Sequence, residues 1–239
     1  MNPNGPPPSG AGPGAGSVPM PKTPLVPGGV IFDMDGTMLD TERLEIGLYV
    51  RLSGEMGWPT DEDTLRGTIG LSDENAEGIY VKKYGPRYPF GEIWAAVMKE
   101  ETVRAEREGL PHRPGLRALL DKLAALGIPL AVATSTFRER AAWKLEKAGI
   151  LDRFAALACG DEVKNGKPAP DIFLLAASQL GINPEDAVGF EDSPAGLAGL
   201  AAAGIPSVFV KDMAEPPPEI LRTVWRRCAD LAAAAELFG

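Results

Sequence analysis

Two aspartates in the segment Asp33-Met34-Asp35-Gly36-Thr37 carry the side chains with the clearest chemical potential in the sequence. They stand two positions apart directly after the apolar run Val30-Ile31-Phe32, and alternate residues of an extended chain project to the same side. One carboxylate can attack a phosphorus atom, while the other protonates the leaving oxygen and later deprotonates a water molecule. Because His112 is the single histidine, a histidine-based metal site or triad is disfavoured. The acid and the base must therefore be carboxylates.

Three later segments supply other groups that this chemistry needs. Thr134 and Ser135 offer hydroxyl groups and following backbone N–H groups to phosphate oxygens, and Lys167 offers a positive charge. Glu191 and Asp192 add two more carboxylates. A cluster of carboxylates in a confined pocket requires a counterion, and oxygen ligands alone select a hard cation, Mg²⁺ first. Together these residues predict a site for phosphoryl transfer.

The elements that must position these groups begin with a short buried strand at Val30-Ile31-Phe32. A helical pattern starts at Thr41, and two more lie around Asp73 to Tyr84 and around Phe90 to Glu108. No convincing strand pattern lies between them. Residues 40–110 are therefore predicted to be all-helical.

Beyond Pro114, amphipathic helical patterns alternate with short apolar runs. The predicted strands are 129–133, 155–158, 186–190 and 207–210, and glycines at positions 127, 149, 181 and 204 end the predicted helices. This alternation is typical of an α/β fold with a parallel sheet covered on both faces. The predicted fold is a doubly wound, Rossmann-like parallel sheet with a helical cap inserted after its first strand.

Three regions follow from these patterns. Residues 1–28 are rich in Pro and Gly and are expected to form a disordered tail, since they offer few large apolar groups. Met20 is an alternative start, in which case residues 1–19 would not belong to the native protein. Residues 29–39 and 111–239 are predicted to form the core, and residues 40–110 the cap. Ligands of such sheets bind outside the carboxyl ends of the strands, which is where the polar segments stand.

Composition narrows the range of partners. The formal net charge of -9 argues against nucleic acid and anionic membranes. The two cysteines are too few for a disulfide framework, so a reducing compartment is expected. The uncharged run at 193–210 contains Pro206 and favours a buried helix followed by a strand over a membrane span. We therefore expect a cytoplasmic protein, with a monomer favoured, that acts on a small phosphorylated metabolite.

The four polar segments resemble, in order and spacing, the four motifs of the haloacid dehalogenase superfamily. They read Asp33-Met-Asp-Gly-Thr-Met-Leu-Asp40, Thr134-Ser-Thr136, Gly166-Lys-Pro-Ala-Pro-Asp171 and Gly189-Phe-Glu-Asp-Ser-Pro-Ala-Gly196. The likeness extends over residues 30–210 and is greatest to the β-phosphoglucomutase-like group of phosphatases and mutases, which carries a helical cap of the C1 type.

This resemblance implies a role for each matching residue. Asp33 would be the nucleophile that accepts the phosphoryl group, and Asp35 the general acid and base. Mg²⁺ would be held by the carboxylate of Asp33, the backbone carbonyl of Asp35 and Asp192, with Glu191 as a ligand or directly behind the ligands. Thr134, Ser135 and Lys167 would bind the phosphate. The dehalogenases of the superfamily lack the second aspartate of the first motif, so Asp35 argues against dehalogenation.

The cap is expected to select the substrate through the segment 66–74, with Arg66 as the cation that reaches it. In the mutase branch an arginine shortly after the corresponding glycine holds the second phosphate, whereas positions 71–75 here are Leu, Ser, Asp, Glu and Asn. We therefore expect a Mg²⁺-dependent phosphatase for a sugar phosphate or a phosphoglycolate-like compound, acting through an aspartyl-phosphate. A β-phosphoglucomutase-type mutase is the first alternative. A non-enzymatic, receiver-like phospho-switch is the second, although it gives no reason for the helical insertion.

Overall fold

The computed structural model describes residues 26–68 and 73–239. Most of the predicted tail and residues 69–72 of the predicted substrate-contacting segment lie outside the described residues.

A parallel sheet forms the centre of the protein. Its strands follow the order β3-β2-β1-β4-β5-β6. Their bounds are Gly29–Phe32 (β1), Leu130–Thr134 (β2), Ala156–Cys159 (β3), Ala187–Glu191 (β4), Ser207–Val210 (β5) and Arg226–Cys228 (β6). In β1, Val30 lies opposite Leu130 on one side and Val188 on the other. The prediction of a parallel α/β sheet is confirmed.

Strand β6 was not predicted from the sequence. Arg226 and Arg227 are exposed, and within the described part of the chain the strand pairs with β5 alone, at the edge of the sheet. A strand with charged, exposed side chains lacks the apolar run that marks the buried strands.

Four helices lie between β1 and Pro111 in the part of the chain that the structure describes. They span Thr41–Glu55 (α1), Glu62–Arg66 (α2), Asp73–Tyr84 (α3) and Phe90–Glu108 (α4). They pack around their own apolar cluster, in which the rings of Tyr49 and Tyr88 each stack on Tyr80 with centroids 5.6 Å apart. Aromatic side chains bury large areas, and these rings give the helical segment an apolar core of its own. The prediction of an inserted helical cap is confirmed, while the short helix α2 was not predicted.

The helical segment leaves and re-enters the sheet region at neighbouring points. Leu39 and His112 form an antiparallel bridge, and the backbone N–H of Asp40 donates to the carbonyl of Pro111 at 2.9 Å. The two chain segments that connect the helical segment to the sheet are therefore held side by side.

Six further α-helices follow Pro111 among the described residues. They span Leu116–Ala125 (α5), Arg138–Lys147 (α6), Asp171–Leu180 (α7), Pro194–Ala202 (α8), Pro218–Leu221 (α9) and Leu231–Ala235 (α10). Alternate residues of β1 face opposite layers, since Val30 and Phe32 belong to the apolar cluster that contains Leu119, whereas Ile31 packs in the cluster that contains Phe173. The sheet is thus covered on both faces.

The uncharged run at 193–210 forms α8 and β5, as the sequence predicted. Among the described residues, no helix combines the length and the apolar character that a membrane crossing requires.

Candidate active site

The carboxyl ends of three neighbouring strands meet at one edge of the sheet. Asp33 directly follows β1, Thr134 is the last residue of β2, and Glu191 is the last residue of β4 with Asp192 next in sequence. Lys167 comes from the loop between β3 and α7. The structure brings Asp33, Lys167, Glu191 and Asp192 together, as the positions of the strand ends predict.

Lys167 is the cation at the centre of this group. Its ammonium donates to Oδ1 of Asp33 at 2.5 Å and to Oε2 of Glu191 at 2.8 Å, and its side chain is 4% exposed. Burial alone would lower the pKa of Lys167, but the two carboxylates outweigh burial and raise it above its ordinary value. Lys167 therefore stays protonated and offsets the charge of both acids.

The carboxylates around Lys167 repel one another. Burial, and then the charge of Glu191, raise the pKa of Asp33 to about 7 although Lys167 opposes the rise. The pKa of Asp192 is raised well above its ordinary value by burial and by Glu191 and Asp33. One lysine is thus too little positive charge for three buried acids.

The donor set fits a hard divalent cation. One carboxylate oxygen each of Asp33, Glu191 and Asp192 lies within 4.8 Å of the others. Oδ1 of Asp192 accepts a hydrogen bond from Thr37 at 2.6 Å, whereas Oδ2 is buried and has no hydrogen-bond partner among the described residues. Buried polar atoms are rarely left unpaired, and oxygen ligands of this kind suit Mg²⁺ or a similar ion. These three carboxylates are the candidate ligands for the predicted divalent cation.

Two more acids flank Asp192, and neither was singled out in the sequence. Carboxylate oxygens of Glu42 and Asp212 lie within 4.8 Å of one on Asp192. Burial, and then Asp192, raise the pKa of Glu42 well above its ordinary value. Asp212 is balanced by the guanidinium groups of Arg113, at 2.7 Å, and Arg43. The surplus of negative charge therefore lies on the Asp192 side of the site.

Asp35 has its own lysine and lies apart from the three clustered carboxylates. Its Oδ1 accepts from Thr41 at 2.6 Å and from the Lys144 ammonium at 2.7 Å, and its Oδ2 accepts from Thr136 at 3.0 Å. Burial raises the pKa of Asp35, but the charge of Lys144 and the hydrogen bonds outweigh it and leave the pKa below its ordinary value. The two aspartates of the first motif thus have opposite electrostatic environments.

Lys144 was missed because it belongs to no motif and lies inside helix α6. A signal did exist in the sequence, since Ala141, Leu145 and Ala148 line the buried face of this helical turn and Lys144 stands among them. A lysine on the apolar face of an amphipathic helix requires a buried partner.

The other predicted residues are placed differently. Thr134 is buried, and its hydroxyl oxygen accepts from the backbone N–H of Thr136 at 3.1 Å, while Ser135 is exposed. Arg66, at the end of α2, is 45% exposed and pairs with Glu62 at 2.5 Å. Among the described residues, Arg66 makes no contact with the clustered carboxylates of Asp33, Glu191 and Asp192. Part of the segment that follows Arg66 is not described.

Gly36 allows the first motif to pass close to the carboxylates. Its φ of 84° is in the left-handed region, and a Cβ atom there would lie 2.5 Å from Oδ2 of Asp192. We expect Gly36→Ala to weaken divalent-metal binding by about 10-fold or more, since displacing a group that orients a ligand has this effect. Calorimetric titration with Mg²⁺ measures the affinity. Gly54→Ala on α1, where a Cβ meets nothing within 4 Å, is the matched control, and equal affinities in the two variants would contradict the prediction.

Comparison with known proteins agrees with this geometry. Residues 28–204 match the family model of the haloacid dehalogenase-like hydrolases. A phosphorylated carbohydrates phosphatase of Thermotoga maritima is 36% identical over 180 residues, which are 75% of this chain and 83% of that protein. A β-phosphoglucomutase of Bacillus subtilis is 29% identical over 200 residues, 76% of this chain and 82% of that protein.

A solved structure extends the likeness to the fold. The crystal structure of CbbY from Rhodobacter sphaeroides in complex with phosphate superimposes with a TM-score of 0.72 at 26% sequence identity, covering 87% of this chain and 96% of that one. The prediction of a phosphoric monoester hydrolase is confirmed by the family and by its phosphatase members among the relatives. The four motifs, the capped parallel sheet and these likenesses show that the chain belongs to the haloacid dehalogenase-like hydrolases.

Proposed function

We propose that this hydrolase is a Mg²⁺-dependent phosphatase that cleaves a small phosphorylated metabolite through a phosphorylated Asp33. The observation that carries the proposal is the contact of Lys167 with Asp33 at 2.5 Å beside the carboxylates of Glu191 and Asp192. A carboxylate held by an ammonium at a strand end, next to a set of metal ligands, has the parts that phosphoryl transfer requires.

In the first step, a carboxylate oxygen of Asp33 forms a bond to the phosphorus of the substrate, and the bond from phosphorus to the ester oxygen breaks. Lys167 offsets the charge that the phosphate and Asp33 share, while Thr134 and Ser135 bind the phosphate oxygens. Asp35 gives a proton to the departing ester oxygen, so the product leaves as an alcohol.

In the second step, Asp35 acts as the base. It takes a proton from a water molecule whose oxygen forms a bond to phosphorus, and the bond between phosphorus and Asp33 breaks. Inorganic phosphate and the Asp33 carboxylate result. The low pKa of Asp35 in the free enzyme suits this base role. A bound phosphate dianion raises the pKa of a nearby carboxyl group, which allows Asp35 to take up the proton that it donates in the first step.

The metal would be held by the carboxylates of Asp33 and Asp192 and by the backbone carbonyl of Asp35. Glu191 accepts hydrogen bonds from Lys167 and from the backbone N–H groups of Asp192 and Ser193, at 2.8, 3.1 and 2.9 Å. These contacts favour a place for Glu191 directly behind the ligands. When bound, Mg²⁺ supplies positive charge that offsets the charge of the phosphate and the surrounding acids.

A sugar phosphate or a phosphoglycolate-like compound is the proposed substrate class. The carbohydrate phosphatase among the relatives supports it, as does a helical cap that can exclude water from the site. Arg66 is proposed to contact the substrate from the cap, after release from Glu62. Cytoplasmic location and a monomeric state remain part of the proposal.

A sugar phosphomutase is the second candidate, because a β-phosphoglucomutase is also among the relatives. The sequence at 71–75 has no cation for a second phosphate, which favours hydrolysis. A mutase would isomerise β-glucose 1-phosphate in the presence of a sugar bisphosphate, whereas a phosphatase would release free phosphate.

Metal removal tests the proposal directly. Enzyme treated with EDTA and assayed with a panel of phosphorylated metabolites is expected to lose at least 100-fold of its phosphate release, roughly the loss for missing charge stabilisation, and to recover it with Mg²⁺. The control is the same treatment with excess Mg²⁺ present from the start. Phosphate release that persists in EDTA would contradict the metal assignment, and isomerisation without phosphate release would favour the mutase.

A further inference from the structure

Lys144 is a buried ammonium that the proposed mechanism does not use. It lies on α6, and its side chain is 5% exposed. Its Nζ is 2.7 Å from Oδ1 of Asp35, 2.7 Å from Oε1 of Glu45 and 3.7 Å from Oε1 of Glu101. Lys144 therefore joins one acid of the first motif to two acids of the helical segment, since Glu45 lies on α1 and Glu101 on α4.

Burying this cation is costly unless its partners offset the loss of water. An apolar residue at position 144 would continue the buried face formed by Ala141 and Leu145. The carboxylates raise the pKa of Lys144 above its ordinary value although burial opposes them. The charge at this buried position is therefore offset by the carboxylates of Asp35, Glu45 and Glu101.

The two oxygens of Asp35 are held unequally. Oδ1 accepts two hydrogen bonds, from Lys144 and from Thr41, whereas Oδ2 accepts one, from Thr136. Two charge-assisted or short contacts on one oxygen fix the rotation of the carboxylate. Oδ2, with fewer partners, is left as the oxygen that can exchange a proton.

We propose that Lys144 is a positioning residue for the reaction, which anchors Oδ1 of Asp35 and ties this carboxylate to Glu45 and Glu101 of the helical segment, so that Oδ2 carries the proton to the leaving group. The inference rests on the proposed function, because it assigns Lys144 a part in the proton transfer by Asp35. Among the described residues, the Lys144 ammonium contacts the carboxylates of Asp35, Glu45 and Glu101 and does not contact Asp33 or Asp192.

Dependence on the leaving group distinguishes this role from a merely structural one. A sugar phosphate needs a proton on its departing oxygen. The leaving group of p-nitrophenyl phosphate is a stable phenolate, which needs little protonation. With Lys144→Met we expect kcat/KM to fall on the order of 100-fold for the sugar phosphate that wild type cleaves best, in the range of general acid catalysis. The fall for p-nitrophenyl phosphate is expected to be less than about 10-fold.

Lys147→Met is the matched control. Lys147 lies one turn further along α6 and pairs with Glu106 of α4 at 2.8 Å, so it also connects the core to the helical segment but does not contact Asp35. We expect its kcat/KM to stay within about 2-fold of wild type for both substrates, since surface ion pairs contribute little.

An equal fall for both substrates in Lys144→Met, or no fall, would overturn the proposal. If Lys144→Met fails to fold, the double variant Lys144→Met/Glu45→Gln removes one of the stranded carboxylates and is read by the same pair of substrates. Failure of the proposed function looks different, because wild type would then release no phosphate from either ester or Asp33→Asn would retain wild-type activity. Either result is independent of Lys144.

Discussion

Asp33→Asn is expected to lower kcat/KM for phosphate release on the order of 10⁴-fold or more, the scale on which removing a covalent nucleophile acts. The amide has the size of the carboxylate and keeps an oxygen that can accept the hydrogen bond from Lys167, so the fold should persist. Because burial and Glu191 already raise the pKa of Asp33 to about 7, loss of this charge should not lower the melting temperature. Phosphate release and thermal unfolding measure the two effects.

A covalent readout makes this prediction specific. Wild-type enzyme quenched with acid during turnover should carry a phosphoryl group on the peptide that contains Asp33, detectable by mass spectrometry, and Asp33→Asn should not. Asp186→Asn, in the exposed 3₁₀ turn before β4, serves as the control and should behave as wild type. Near-normal turnover in Asp33→Asn would show that another group accepts the phosphoryl.

Lys167→Met is expected to damage stability and activity together. It leaves Asp33 and Glu191 buried without their ammonium, and breaking a buried ion pair costs about 3–5 kcal/mol. Lys167 lowers the pKa of Asp33, so in the variant a smaller fraction of this carboxyl group is ionised and able to attack. We expect kcat/KM to fall on the order of 10²–10³-fold, as for other lost charge-stabilising groups.

The loss of unfolding free energy in Lys167→Met should depend on pH, and the raised pKa of Asp33 gives the direction of that dependence. A carboxyl group whose pKa is raised on folding destabilises the folded state increasingly as the pH rises. The deficit of Lys167→Met should therefore grow as the pH rises through about 7, where Asp33 ionises in wild type. Urea unfolding of EDTA-treated protein at pH 6 and pH 8 measures it. Lys164→Met, an exposed lysine of the same loop, is the control, and an equal loss in both variants would contradict the role of the buried ion pair.

The position of the candidate site was predictable because it depends on local patterns. In a parallel sheet the carboxyl ends of neighbouring strands share an edge, so a polar residue directly after an apolar run, such as Asp33 or Glu191, can be placed without knowing any contact. The structure brings these residues together with Lys167. The roles of the site residues remain predictions for the experiments above.

The pairing of charges was not predictable in the same way. The spacing of Asp33 and Asp35 places both on one side of an extended chain, but it does not show that each would have its own lysine. Lys144 is separated from Asp35 by 109 positions and from Glu45 by 99, and nothing in the local sequence links them. Such contacts depend on how α6 packs against the helical segment, which no periodicity encodes.

The junction at Leu39 and His112 has a consequence for how this enzyme can be altered. The chain departs for α1 and returns after α4 at points joined by two backbone hydrogen bonds, from Asp40 to Pro111 at 2.9 Å and from Arg113 to Met38 at 2.8 Å. A graft made at these two residues need not stretch or reorder the strands, because its ends already meet. Helical segments from relatives can therefore be exchanged at this junction, and the positions of the segment that contact Asp35 or Lys144, which are Thr41, Glu45 and Glu101, have to be kept so that the bond-breaking step is preserved.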